Sequence, residues 1–402
     1  LRCDSDATIT GTGSIHLFRP GNDAQLNSGA GATLTIGQDQ TVFGRGEVNA
    51  ALINMGTIDA NISGSALTLQ SEPKTNHAIM QASNGGILDL SNVTLTQGPA
   101  GVIRADGGSV NARVGSCSVT GGTIESINAG VLLIRPSVTL SLDDVILDGE
   151  MNMHGGGTLV VGPLGVSHNG MITVNSNSSS ADAVVQIANG GTLDGTGEVL
   201  LNRPSNDSQI LTAAGEAGTL AGSLRVTGQG NINGDITIAC VLEPGSTLPQ
   251  SIGHSGTITF DPGGRYRVRI VSTGSHGRFD GSADVILGGT LELVFEGGYT
   301  PSDYDSFTII TAGSVSGDFD AVDAPPLSAG RVYRIVKTAT DVEVIISCGP
   351  DLNNDGLLDF FDVLEFLQAF SSLDPIADFN EDGLHDFFDV LAFLSAFSAG
   401  CP

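Results

Sequence analysis

The chain has 402 residues, a formal net charge of −28, 56 glycines, no tryptophan and two lysines, Lys74 and Lys337. Phosphate contacts need clustered Lys and Arg, so no nucleic acid is expected as a partner, and an anionic membrane surface is disfavoured for the same reason. No apolar run approaches the ~18 residues that mark a membrane span.

The chain opens Leu1-Arg2-Cys3, which reads as a processed start or a fragment. From about residue 7 to 347, short runs of Val, Ile, Leu and Thr alternate with small polar residues, as in Ala32-Thr33-Leu34-Thr35-Ile36 and Gly157-Thr158-Leu159-Val160-Val161. Period-two alternation predicts strands with one buried face. A glycine pair precedes a strand at Asn84-Gly85-Gly86-Ile87, Asp106-Gly107-Gly108, Asn189-Gly190-Gly191 and Leu287-Gly288-Gly289. Glycine suits a corner with positive φ. A short repeated strand-and-corner unit is the mark of a parallel β-helix, whose coils stack to share one core. Residues 11–26 and 195–210 match at nine of sixteen positions, and the same offset of 184 aligns residues 44–49 with 228–233. An array that duplicated a block of coils would read this way.

The expected fold is therefore all-β, a parallel β-helix over residues 1–257 with a β-rich cap over 258–347. This region resembles the β-helical passenger domains of autotransporters and related bacterial surface proteins. The likeness is strongest toward the cap, at Val241-Leu242-Glu243-Pro244-Gly245-Ser246, Gly289-Thr290-Leu291-Glu292-Leu293 and Gly297-Gly298-Tyr299-Thr300-Pro301. It implies architecture and says little about activity.

The seven histidines are scattered, and no zinc-protease, nucleophile-elbow, dinucleotide or phosphate-loop motif is present. No catalytic residue is expected. A β-helix can still host a polysaccharide lyase or glycosidase, but such sites gather carboxylates with an Arg or Lys on successive coils, usually beside aromatic platforms. Arg19-Pro20, Arg135-Pro136 and Arg203-Pro204 recur and read as solenoid corners.

Residues 348–402 change character. Asp351, Asn353, Asp355, Leu357, Asp359 and Asp362 stand at positions 1, 3, 5, 7, 9 and 12 of a calcium loop, with Gly356 at position 6. Asp378, Asn380, Asp382, Leu384, Asp386 and Asp389 repeat it, with Gly383. Calcium wants six to eight hard oxygens, which carboxylates, an amide and the carbonyl at position 7 supply. Residues 349–402 hold eleven Asp or Glu and no Lys or Arg. Two calcium ions are expected. A helix follows each loop, with Val363, Leu364, Leu367 and Phe370, then Val390, Leu391, Leu394 and Phe397, read as the packed faces.

This tail resembles a dockerin, a duplicated loop–helix module, of the kind that closes many planctomycete secreted proteins with Gly-Cys and a residue or two, here Gly400-Cys401-Pro402. Asp in place of Glu at position 12 agrees with the resemblance. The ends of such a module usually lie close together, which implies a Cys348–Cys401 disulfide rather than two unrelated thiols and points to an oxidising, extracellular or cell-surface location. Cys117 and Cys240 are expected to be small buried residues of solenoid turns. The residues that contact a cohesin in dockerins are here Phe360, Phe361, Phe387 and Phe388, without polar recognition groups. That argues against the usual cohesin partner. The pairs read first as core, and as a docking patch if exposed.

Together these readings describe a secreted, non-catalytic structural protein, a subunit of a fibre or surface assembly that joins head to tail. The head-to-tail expectation comes from strand sequence that starts by Ala7 with no cap before it. A surface adhesin is the alternative.

Overall fold

The apolar alternation folds as a parallel solenoid of about 13 turns in the computed structural model, which describes residues 1–19, 23–328, 330–380 and 382–401. Pro20, Glu381 and Pro402, each part of a motif above, lie outside the described residues. Through most of the solenoid each strand pairs in parallel with the third strand along the chain, so one turn holds three strands. Ala66–Gln70 lies beside Ile87–Ser91, and Ile87–Ser91 beside Ser109–Val114.

Stacking in register lines up like residues. One inward row runs from Leu67 through Leu88, Val110 and Leu132, then on through Met151, Ile172, Val199 and Val226 to Leu242, Tyr266 and Leu291. All of these are buried. Each burial contributes roughly 1.5–3 kcal/mol, so the row is a large part of what holds the coils together.

A second inward row is polar. Asn54 Nδ2 donates to Asn76 Oδ1 at 2.8 Å, Asn76 Nδ2 donates to Gln97 Oε1 at 3.1 Å, and Gln97 Nε2 donates to the carbonyls of Gly121 and Thr123. Asn76 also donates to the Val102 carbonyl and accepts from the Ala78 amide. Each amide satisfies backbone groups that a corner would otherwise bury unpaired.

The glycine pairs are turn devices with two different reasons. Gly85 has φ +73°, which only glycine adopts freely. Gly86 is needed for space, because a Cβ there would sit 1.9 Å from the Ala60 carbonyl of the coil below. The duplicated block occupies equivalent places. Ser14–Leu17 and Glu198–Leu201 are matching strands, each followed by a corner and then Gln25–Ser28 or Ser208–Thr212. Arg135-Pro136 and Arg203-Pro204 lie at corners between strands, as expected. Cys117 and Cys240 are buried, but inside the strands Ser116–Thr120 and Asn231–Pro244 and not in turns. A thiol is small and apolar enough for an inward strand position. Burial raises both pKa values, that of Cys240 to about 12, which leaves the thiols unreactive.

Parallel pairing continues to Ala321–Asp323. The last strands, Ser306–Thr311, Asp341–Cys348 and Arg331–Lys337, pair antiparallel in that order across the sheet. Two helices follow, α1 (Phe360–Ser372) and α2 (Phe387–Ala399). They share a small separate core of Leu352, Phe366, Ala369, Ala377 and Phe393, in which Phe366 and Phe393 stack at 4.2 Å. This corrects the expected packing face. Val363 and Phe370 do pack inward, but Leu364, Leu367, Leu391 and Leu394 are exposed, and Phe366 and Phe393 take the centre. The helices are apolar nearly all round, so two stripes fit a 3.6-residue period, and only contact between the two repeats chooses one. Cys348 and Cys401 are joined by a disulfide, with Cα atoms 5.4 Å apart. Neither helix is long and apolar enough to cross a membrane, a statement that does not extend to β-barrels.

Candidate metal centre

Each loop is shaped by its own side chains. Asp351 accepts from the amides of Asp355 and Gly356 at 3.2 and 3.0 Å. Asn353 Oδ1 accepts from Asp355 N, and Asp355 Oδ1 from Leu357 N. Asp359 caps α1 by accepting from Phe361 N. Asp362 closes the circle, accepting from Leu352 N at 2.8 Å and Asp359 N at 2.9 Å. The second loop repeats every one of these bonds. Asp378 accepts from Asp382 and Gly383, Asn380 from Asp382, Asp382 from Leu384, Asp386 from Phe388, and Asp389 from Phe379 and Asp386. Gly356 and Gly383 have φ of +86° and +81°, the bend that position 6 requires.

The bends fall at Gly356 and Gly383, and the carboxylates at positions 9 and 12 bond to amides of the helix start. Side chains three and five do meet, since Asn353 Nδ2 donates to Asp355 Oδ2 at 3.0 Å and Asn380 Nδ2 to Asp382 Oδ2 at 2.9 Å. Among the described residues, however, no group of three or more His, Cys, Asp and Glu side chains comes together as a metal set. The carboxylates are turned onto loop amides instead.

In the first loop the charges of Asp351 and Asp362 act on the Arg334 guanidinium, which burial holds below its ordinary pKa. Asp351, Asp362 and Asp389 are fully buried, and none has a salt bridge among the described residues. The Asp386 amide, first among several, holds the Asp389 carboxyl below its ordinary pKa. The first loop is also docked on the cap. Tyr304 donates to Asp351 Oδ2 at 2.6 Å, and its own pKa is pushed up by burial and by that carboxylate. Arg334 Nη2 donates to the carbonyls of Gly349 and Asp351. Sequence reading missed Tyr304 and Arg334, because no local spacing ties them to the loop. The donor set suits calcium chemically: every group offered is a hard oxygen, and the buried carboxylates form no salt bridge among the described residues.

Phe360, Phe361, Phe387 and Phe388 are not core. Phe360 and Phe387 are each 70% exposed, and Phe361 and Phe388 each 61%. With Leu357, Leu364 and Leu367 on one repeat, and Leu384, Leu391 and Leu394 on the other, they form two like apolar faces.

Gatherings of acids and arginines on successive coils do occur. Arg225 pairs with Glu198 and Glu243, and Arg267 with Glu243 and Glu292. Arg269 pairs with Glu296 at 2.6 Å. The carboxylates here are engaged by guanidinium groups, an ion-pair ladder on the outer surface. His168 and His254 are buried against backbone groups, and burial lowers both pKa values. No protein-family model matches the chain, and no curated protein does.

Proposed function

We propose that this chain is an extracellular, non-catalytic structural protein, a subunit of a fibre or surface assembly, whose dockerin-like tail is a calcium-stabilised docking module. The observation that carries the reading is the twin apolar face of that module. Monomeric proteins rarely expose contiguous apolar patches beyond a few hundred Å². Here each helix displays exposed phenylalanines and leucines, and the loop geometry that presents them is duplicated bond for bond. The occupant proposed is a second copy of the chain, joined head to tail. Two unlike surfaces in contact form a heterologous interface, which grows into a filament unless it closes a ring.

Sedimentation of the purified chain in calcium tests this. Mass should rise with concentration, and Phe361→Glu with Phe388→Glu should abolish the rise by placing a charge on each face. A wild-type chain that stays monomeric at every concentration refutes the assembly.

Two calcium ions would be held by Asp351, Asn353, Asp355, the Leu357 carbonyl, Asp359 and Asp362, and by Asp378, Asn380, Asp382, the Leu384 carbonyl, Asp386 and Asp389. The ion would supply the positive charge that these loops lack. Calorimetric titration should resolve two sites, and Asp362→Ala with Asp389→Ala should remove both. Asp362→Ala also strands the Leu352 and Asp359 amides, costing roughly 3 kcal/mol. Amide protection in α1 and α2 that is identical in calcium and in chelator would count against a metal-stabilised module.

A further inference from the structure

The solenoid carries a polar groove that neither the assembly reading nor the tail explains. It crosses four stacked strands, Gly46–Val48, Ala66–Gln70, Ile87–Ser91 and Ser109–Val114, and encloses about 470 Å³. Its lining includes Glu47 and Thr68, partners in register, with Gln70, Ser91 and Arg113.

Two hydrogen-bonded walls flank it. On one side Gln25 Nε2 donates to Glu47 Oε2 at 2.7 Å, and Asn49 Nδ2 donates to Asn27 Oδ1 at 3.0 Å. On the other, Asp89 is buried and accepts from Arg113 Nη1 at 2.7 Å and Asn111 Nδ2 at 3.0 Å. That second wall is raised by a bulge. Leu90 pairs with Ala112 but Ser91 pairs with Val114, so Arg113 is an extra residue in its strand. Bulges re-aim side chains and collect beside functional sites.

The floor between the walls is made of short residues, Ala66 and Thr68. The Thr68 hydroxyl, the Gln70 amide and the Ser91 hydroxyl make no side-chain hydrogen bond among the described residues.

The geometry points to a binding site for a neutral oligosaccharide. Hydroxyls, amides and a carboxylate offer both donors and acceptors, which matches a hydroxyl-rich ligand. The strands are about 4.8 Å apart, close to the length of one pyranose unit, so successive coils present like groups to successive rings. Three such steps span ~14 Å, room for three or four rings. Charge decides against an acidic glycan. Arg113 is paired with Asp89, Glu47 is anionic, and the chain carries −28. No aromatic ring lines the groove, so hydrogen bonds carry the recognition. The inference stands on the solenoid alone and does not depend on the tail or on self-association.

The test is calorimetric titration of the full chain with cellohexaose, mannohexaose, xylohexaose and maltohexaose, and with oligogalacturonate as the acidic counterpart. At least one neutral hexasaccharide should bind. Thr68→Tyr, which fills the floor at an outward strand position, should weaken it roughly ten-fold or more, the loss of one or two good hydrogen bonds. Thr158→Tyr, outward on a distant coil, should leave it unchanged. Unaltered circular dichroism and melting of both variants separate a filled groove from a misfolded one. Failure of all four neutral sugars to bind overturns the proposal, as does binding that Thr68→Tyr leaves intact, or binding of oligogalacturonate in their place.

Discussion

Replacing Cys401 with serine should unfold the helical module at ambient temperature and leave the solenoid folded. The Cys348–Cys401 bond closes a loop with a sequence separation of 53. In the chain-entropy account, a loop of that length contributes about 4 kcal/mol. The module's own core is five buried residues with a few half-buried neighbours. A single core of this size rarely supplies more than ~3–5 kcal/mol, so loss of the bond removes most of the margin. Like charge adds to the difficulty, because acidic side chains crowd both loops. Hydrogen exchange reads the result directly: amides around Phe366 and Phe393 should lose protection, while those around Val110 and Leu132 keep theirs. On the proposed calcium reading, excess calcium should restore part of the protection, since ion and disulfide would restrain the same segment by different means. Protection at Phe366 and Phe393 equal to wild type, in chelator and without the bond, would show that the small core suffices.

Asn76→Ala should be the most damaging single change tested inside the solenoid, by about 4 kcal/mol. The side chain makes two donor and two acceptor bonds and is fully buried. Alanine removes all of them. It leaves the Gln97 Oε1 and the Val102 carbonyl without this donor, in a place water does not reach. Each lost bond costs about 1 kcal/mol net, and each stranded buried polar group another 1–3 kcal/mol. Because the three amides are linked, the effect should exceed a sum of isolated pairs. Asn169→Ala is the comparison. Asn169 is exposed and donates to Asp148 at 3.0 Å, and water can replace what it loses. Its removal should cost less than about 1 kcal/mol. Guanidinium denaturation of both variants gives the ratio, and equal shifts would mean that the ladder is not what holds these coils.

Much of the architecture was legible because a strand's alternation is a local property. Residues such as Leu67 and Leu69 mark their inward face by period alone, whatever lies above them. The glycine pairs showed where corners fall, and the offset repeat showed that coils were copied. The shape of the two tail loops was legible for the same reason: Asp351 to Asp362 bond to amides within ten residues, so spacing nearly dictates it. The functional consequence of those loops was less legible. In the structure the carboxylates serve the backbone, and the ion remains a proposal that rests on their hard-oxygen donor set.

What the chain order could not show are contacts made between coils. Asn54, Asn76 and Gln97 look like unremarkable polar residues along the chain, yet stacking places them on one interior line. Tyr304 reaches Asp351 only because the cap folds back on the tail. The outward turn of Phe360 and Phe361 depends on which of two apolar stripes meets the other helix, a choice the period leaves open. The groove over Thr68 exists because a bulge at Arg113 and a glutamate three strands away from it rise on either side of a short residue. By itself, then, the sequence determined the strand pattern, the corners and the loop shapes, since each is settled by interactions among near neighbours. The tertiary structure alone decided the amide ladder, the exposed helical faces and the groove, because each depends on residues brought together by the rise of successive coils.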